Sequence, residues 1–419
     1  MNLSDSERIA SVLEALGWQR AEGSKDADLV VVNACAVRQS AMNRIYGRVQ
    51  LWNKIKRKRI LKTLLMGCVL EADRKKLSGV FDWILPIKDL AKLPELLGYD
   101  KLPIAEYFEV LPHYTTKFSA YVPIMTGCDK FCTYCAVPYT RGREASRPMD
   151  DILAEVKKLV ASGYREIMLL GQNVNSYRGC FKDNPDKVVD FPDLLQMVCD
   201  IPGNFWVQFL TSHPYDMSDK LIEAMARNDK IGKYVNFPVQ SGSDEVLKKM
   251  NRHYTIAHYK ERINKLRELM PDIVISTDII VGFYGETEDD LQKTVELFKE
   301  VKYDMAYINE YSQREGTAAV KMFTDDLPRS IKKKRKEELT AVLAEISLEK
   351  NKKLVGEAVD VLVDKAIKKE GAFLNCGHTH SLKTIQFVDS KDYTGEFVKL
   401  KVVSATPWSL EGVILHKVE

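Results

Sequence analysis

MTGCDKFCTYCAVPYTRG (Met125–Gly142) places three cysteines, Cys128, Cys132 and Cys135, within eight residues, with Tyr134 just before the last. Soft thiolates clustered in this way select zinc or an iron–sulfur centre. Either centre ordinarily takes four ligands, and this stretch supplies three. A closed zinc site needs a fourth Cys or His nearby, yet His113 and His213 do not stand at finger-like spacing. Cys180 and Cys199 are the next cysteines along the chain, and Cys199 falls on the apolar face of FPDLLQMVCD. A cube with one open iron suits three ligands better, because the open iron can bind a small molecule and react with it.

Working outward, residues from about 114 to 325 alternate strand and helix. Apolar runs at Phe118–Met125, Arg165–Gly171, Phe205–Thr211, Tyr234–Val239, Ile273–Val281 and Met305–Tyr311 are separated by amphipathic stretches such as Met149–Gly163 and Thr287–Val301. Six β/α units predict a partial parallel barrel, whose chemistry sits on loops at the carboxyl ends of the strands. The cysteine run, GQNVN, TSHP, QSGS and GFYGE all fall there.

Before the barrel, residues 1–113 read as an α/β layer. An amphipathic helix, MNLSDSERIASVLEALGW, opens it, and DADLVVVNAC and LKTLLMGC are buried-type strands, each ending in a cysteine, Cys35 and Cys68. Open α/β sheets bind ligands beyond the carboxyl ends of their strands, so these two cysteines can meet in one site. After the barrel, a charged helix (Ser330–Leu354) leads to short strands with Gly-, Asp- and Ser-rich turns over 355–419, the pattern of a small β-barrel.

Length and composition predict two or three domains. The chain has 419 residues, 45% apolar and 29% charged, too long for one ordinary core. No stretch approaches the roughly 18 consecutive apolar residues of a membrane span, and the N-terminus lacks the regions of a signal peptide. A cytoplasmic protein is expected, in which clustered cysteines are metal ligands or catalytic groups rather than disulfides. Net charge is only +3, but Lys54–Arg59 (KIKRKR) and Lys332–Lys336 (KKKRK) are candidate phosphate-facing patches, with a solvated helix face as the plainer alternative.

CDKFCTYC matches the C-x3-C-x-aromatic-C motif of radical S-adenosylmethionine enzymes. The resemblance implies that the missing fourth ligand is the cosubstrate itself, chelating the open iron of a 4Fe–4S cluster. It also implies that Tyr134, Gly171, Gln172 and Asn173, with Thr277, Asp278 and Gly282 of TDIIVGF, surround that cosubstrate. Over the whole chain the sequence resembles the methylthiotransferases, and GCDKFCTYCAVPYTRGREASRP, LLGQNVNSYRG, TSHPYDMS, PVQSGSDEVLKKMNRHYT and YSQREGTAA are similar to the MiaB-type tRNA branch.

That family orders its parts as an N-terminal α/β domain (1–113), a partial (β/α)6 radical barrel (114–347) and a TRAM β-barrel (348–419). The implied reaction adds a methylthio group to C2 of N6-isopentenyladenosine beside the anticodon of tRNA. No side chain is expected to be catalytic in itself; the bound cosubstrate carries the chemistry. Cys35 and Cys68 would hold a second, auxiliary 4Fe–4S cluster, and Lys399 and Lys401 would touch RNA. A one-electron reductant such as flavodoxin or ferredoxin and a monomeric state complete the expectation.

Other branches of the family modify threonylcarbamoyladenosine in tRNA or an aspartate of a ribosomal protein; PVQSGS and Arg314 favour the tRNA branch over the protein-modifying one, and threonylcarbamoyladenosine ranks second as substrate. A non-catalytic iron–sulfur or zinc RNA-binding protein is the reading from another class. In one respect the chain departs from the family. Three cysteines should hold the auxiliary cluster, the first in a GCQMN-like phrase just before SDSERI, where this chain begins at MNLSDSERI. A late start or a truncated sequence, with the first strand lost, is expected over a genuine two-cysteine site. Cys180 and Cys376 match no ligand position of the family.

Overall fold

The computed structural model describes residues 1–35, 39–100, 106–324 and 327–417. The chain forms two compact units. The first comprises Met1–Thr115, Met125–Arg147 and Ser312–Thr324; the second comprises Thr116–Ile124, Pro148–Tyr311 and Asp325–Glu419.

In the first unit, helix α1 (Asn2–Ala15) precedes β1 (Leu29–Cys35), α2 (Gln39–Lys56), β2 (Lys62–Cys68), α3 (Glu71–Leu77) and β3 (Trp83–Ile84). The strands are parallel in the order β1-β2-β3. Central β2 is apolar without alternation because both of its faces are covered. Leu64 and Met66 join Ile9, Val12 and Leu90 on one face, while Leu65 joins Met42, Trp52 and Phe81 on the other. A sheet between two helical layers results.

Helix α1 departs from a simple amphipathic pattern. Ile9 and Val12 enter the core, but Ser4, Asp5, Glu7 and Arg8 are buried as well. Each charge has a partner: Glu7 accepts from the Thr115 amide and hydroxyl, Arg8 donates to the Val110 carbonyl, and Asp5 accepts from Tyr107 and Arg141. Buried ions need such partners, since an unpaired one costs several kcal/mol.

The second unit is built on six parallel strands, β4 (Ser119–Pro123), β5 (Glu166–Leu170), β6 (Trp206–Phe209), β7 (Tyr234–Asn236), β8 (Val274–Val281) and β9 (Met305–Glu310). β4, β5 and β6 pair in sequence, as do β7, β8 and β9. A bridge from Val207 to Ile231 and the bond from the Ser212 amide to the Asn236 carbonyl join the two triplets. Among the described residues no ladder returns from β9 to β4, so the barrel is open. Helix α4 (Met149–Ala161) crosses from β4 to β5, and the next crossover helices start where side chains can cap them: Asp190 before α5 (Phe191–Cys199), Ser218 before α6 (Asp219–Arg227) and Thr255 before α7 (Ile256–Leu269). Thr287 and Asp290 form a capping box at α8 (Glu288–Val301).

Helix α9 (Arg329–Lys352) follows, and five strands close a small barrel in the order β10-β11-β12-β14-β13. They are β10 (Ala358–Lys369), β11 (Ala372–Thr379), β12 (Thr384–Asp389), β13 (Phe397–Ala405) and β14 (Leu410–Lys417). Val361, Val363, Ile385, Phe387, Val398 and Leu400 fill it.

The small barrel seats on the amino-terminal ends of the six-stranded barrel. His378 lies between Glu166, the first residue of β5, and Asp364, at 2.8 and 3.0 Å. Trp206, the first residue of β6, packs against His380 and Phe397 with ring centroids 4.7 Å away in each case. Asp304, just before β9, holds Lys350 and Lys383. The carboxyl ends of the strands are left free of this contact.

The basic runs are not uniform phosphate-facing surfaces. Lys332 and Arg335 are buried, the latter paired with Glu286 at 2.7 Å, leaving Lys333 and Lys334 exposed. In the other run, Lys56 pairs with Asp82 at 2.6 Å and Arg59 donates to the carbonyls of Lys25 and Ala27. Charge density in the sequence had concealed these internal roles.

Candidate iron–sulfur site and cosubstrate cradle

The cysteine loop is part of the first unit. It is closed by antiparallel pairing of Met125–Thr126 with Ala145–Ser146. Gly127 has φ +78°, and a Cβ there would lie 2.0 Å from the Arg143 carbonyl oxygen, so the loop needs glycine at that point. The Cys128 amide donates to the Gly142 carbonyl (3.3 Å), and the Cys135 amide donates to the Cys132 carbonyl (2.9 Å). On the loop's outer side Arg143 pairs with Asp129 at 2.7 Å and lies over the Phe131 ring.

Backbone amides donate to sulfurs of this loop. The Val137 amide donates to Cys135 Sγ at 3.4 Å, and the Lys130 amide donates to Cys128. Burial pushes the Cys128 thiol up to about 11, and Cys132 beside it adds to the rise, while the Lys130 amide opposes it. Iron would displace such a proton. Cys132 is buried, and Cys128, Cys135 and Tyr134 are half-buried. Among the described residues no three Cys, His, Asp or Glu lie together at metal-binding distances. The donor set, three soft thiols with amides aimed at sulfur, fits a cube held at three corners.

Cys35 and Cys68 are partners in the β1–β2 register, side by side at the carboxyl ends of adjacent parallel strands. Gly67 precedes Cys68 with φ +95°, where a Cβ would meet the Ala34 carbonyl oxygen and Asn33 Oδ1 at 2.4 Å. Arg141, from the cysteine loop, donates through Nε to Cys68 Sγ at 3.0 Å and through Nη2 to Asp5. Burial raises the Cys68 thiol, and the guanidinium opposes that rise. Sequence reading placed the two cysteines but missed Arg141 and Asp5. A buried charge on an opening helix was the available clue.

In the second unit the barrel's mouth holds the remaining candidates. Gly171, Gln172 and Asn173 follow β5. Asn173 is buried, donating to Asp216 (2.7 Å) and accepting from the His213 amide (3.1 Å). Gln172 Oε1 is buried without a protein partner, and so is the hydroxyl of Ser212 beyond β6. Such orphaned polar groups await a ligand or water. Ser212, which sequence reading named only as part of TSHP, is a further candidate for this cradle.

Backbone strain gathers at the same end. Thr211 (φ +75°) and Gln240 (φ +76°) adopt a left-handed conformation at the ends of β6 and β7, costly for a β-branched threonine. Thr277 is fully buried, donating to the Phe237 carbonyl and accepting from the Val239 amide, each at 3.0 Å. Asp278 accepts from Asn236 at 3.3 Å. The Gly282 amide donates to Glu286 at 2.6 Å, and the Lys332 stem lies against Gly282.

On the small barrel, Lys401 and Trp408 are exposed, and Lys399 is partly covered beside Asp360 (3.5 Å). Phe387 and Phe397 point inward and are core.

A six-stranded parallel barrel, a three-cysteine loop directly after its first strand, and orphaned polar groups at its carboxyl end define a radical S-adenosylmethionine protein. Residues 122–298 match the Radical SAM superfamily, and residues 1–85 match the Uncharacterized protein family UPF0004. The fold is shared with the radical S-adenosylmethionine methyltransferase TsrM from Kitasatospora setae, whose structure has cobalamin and an iron–sulfur cluster bound. The likeness has a TM-score of 0.52 at 13% identity, covering 75% of this chain and 70% of that one.

Two relatives carry the identification further. The tRNA-2-methylthio-N(6)-dimethylallyladenosine synthase of Clostridium botulinum (strain Langeland) is 42% identical, over 98% of this chain and 94% of its own length. Its namesake from Treponema denticola is 39% identical over 90% of this chain and 89% of its own. The chain belongs to this family of radical S-adenosylmethionine methylthiotransferases. Among the described residues no helix is long and apolar enough to cross a membrane.

Proposed function

We propose that this protein adds a methylthio group to C2 of N6-isopentenyladenosine (the dimethylallyl nucleoside) beside the anticodon of tRNA. Cys128, Cys132 and Cys135 hold the cluster that binds S-adenosylmethionine. Gly171, Gln172, Asn173, Thr277, Asp278 and Gly282 line the cosubstrate cradle, to which Ser212 is added. Cys35 and Cys68 are ligands of the second cluster. The functional division follows residues 1–113, 114–347 and 348–419, with Lys399 and Lys401 of the small barrel contacting tRNA. The protein acts in the cytoplasm as a monomer, with a flavodoxin or ferredoxin as reductant.

The observation that carries this reading is the pairing of two cysteine sites in one unit: three thiols on a glycine-shaped loop and two more in register at adjacent strand ends. Bound cluster and cosubstrate supply the one-electron chemistry needed at a ring C–H that acid–base groups cannot activate. The chain's own residues bind, orient and exclude water. Thr277 and Asn173 are buried and hydrogen-bonded within the scaffold, so they fix the cradle's shape. Gln172 and Ser212 retain free polar groups for a ligand.

The test is nucleoside analysis of tRNA from a strain lacking the gene. The 2-methylthio derivative of isopentenyladenosine should vanish and return on complementation. Persistence of that nucleoside, with loss of a methylthiolated threonylcarbamoyladenosine instead, would overturn the substrate assignment.

A further inference from the structure

Arg141 belongs to the loop of one cysteine site, yet its side chain ends on a sulfur of the other. It is nearly inaccessible, with a side-chain exposure of 4%, and Asp5 opposite it is at 0%. A guanidinium cannot shed its charge, so burying it requires a matching anion and well-directed acceptors. Asp5 supplies the anion, and Tyr107 steadies Asp5 by donating to its other oxygen at 2.6 Å.

A guanidinium serving only to tie the loop to α1 would need no donor beyond those on the carboxylate. Here Nη2, with Nη1 more distantly at 3.5 Å, serves Asp5, while Nε, at 3.0 Å, donates to Cys68 Sγ. The contact is also stiff at its base. The Arg141 amide donates to the Val137 carbonyl at 2.8 Å, closing the short helix Val137–Thr140. The first amide of that helix donates to Cys135 Sγ. One helical turn therefore connects a sulfur of the loop to a sulfur at the strand end.

We propose that Arg141 is a positioning residue of the second site: it orients the Cys68 sulfur and places one buried positive charge, balanced by Asp5, beside any iron bound at Cys35 and Cys68. The proposal rests on the reading that those two cysteines hold iron. Donors to ligand sulfur and nearby charge are the features by which a protein sets cluster retention and potential.

The experiment uses the full chain with Cys128, Cys132 and Cys135 all changed to alanine, reconstituted with iron and sulfide so that only the second site is read. Iron retained against a chelator and the midpoint potential are measured for this parent and for Arg141→Gln, Arg141→Lys and Asp5→Asn in the same background. Loss of the donor and charge in Arg141→Gln should weaken iron retention about tenfold or more and move the potential to more negative values. Arg141→Lys should keep the potential near the parent's while still losing retention. Asp5→Asn, which leaves the cation unbalanced, should move the potential the opposite way, to more positive values.

A residue that merely ties the loop down would lower thermal stability in all three variants without potential shifts of opposite sign; that result overturns the proposal. If the parent binds no iron, or adding Cys35→Ala and Cys68→Ala leaves its iron unchanged, the reading of the second site fails instead. Arg141→Lys and Asp5→Asn keep the test decisive even if Arg141→Gln does not fold.

Discussion

Asn175 grips the backbone of His213 at both ends, its Nδ2 donating to the His213 carbonyl (3.0 Å) and its Oδ1 accepting from the His213 amide (2.9 Å). Asn173 takes the same amide from the other side and reaches on to Asp216. The loops after β5 and β6 are thereby one object, and GQNVN and TSHP, about 40 positions apart in the chain, describe one cradle. Residues of that cradle divide into those that hold it together and those that await a ligand.

That division is measurable. Asn175→Ala removes two bonds to a buried backbone and should cost about 2 kcal/mol in stability, with a raised KM for S-adenosylmethionine. Gln172→Ala removes no protein contact of its Oε1, so the melting temperature should hardly move while KM rises. Thermal melts alongside 5′-deoxyadenosine formation check both. Equal loss of stability in the two variants would contradict the division.

Cys128→Ala and Cys68→Ala should fail differently. On the proposed assignment the first should abolish cleavage of S-adenosylmethionine, because its thiolate would hold the cluster that binds the cosubstrate. The second should leave cleavage largely intact and abolish methylthiolation. Quantifying 5′-deoxyadenosine and modified nucleoside in the same reaction separates the two. Loss of cleavage in Cys68→Ala to the level of Cys128→Ala would sink the assignment of separate roles.

Periodicity made the six barrel strands and the long helix legible, since buried parallel strands and capped helices write their pattern locally. The spacing of Cys128, Cys132 and Cys135 was equally legible because ligand and motif share one loop. Arg141 was not, because its meaning depends on Asp5 and Cys68, more than 70 residues away in either case. Lys332 and Arg335 were misread for the same reason. A basic run looks solvated until Glu286 and Gly282 are brought against it by the fold.

The joint beneath the radical barrel should respond to pH. Glu166 and Asp364 hold His378 protonated, raising it from 6.5 to about 10 against the opposing effect of burial. A raised value means that its contribution is fully present below pH 6.5, erodes above it, and is lost as pH rises through about 10. His378→Gln should therefore destabilise by about 3 kcal/mol at pH 6 and by much less above pH 10. Urea titrations of parent and variant at the two pH values provide the check. A pH-independent difference would show that His378 acts through packing against Trp206 alone.

Substitutions on the small barrel should separate contact from core. Lys401 and Trp408 are exposed, whereas Phe387 is 3% exposed within the barrel's apolar centre. Lys401→Ala should weaken tRNA binding and reduce the slope of log affinity against log salt by about one contact's worth, because one phosphate partner is lost. Trp408→Ala should weaken binding by about 1–3 kcal/mol, the range for a stacked base, with the salt slope unchanged. Phe387→Ala should cost about 3–5 kcal/mol of stability, and tRNA affinity should fall only where the barrel unfolds. Filter binding from low to high salt, paired with thermal melts, distinguishes the three. If Lys401→Ala leaves both affinity and slope untouched, the RNA contact lies elsewhere, and exposed Lys333 and Lys334 on α9 become the cations to change next.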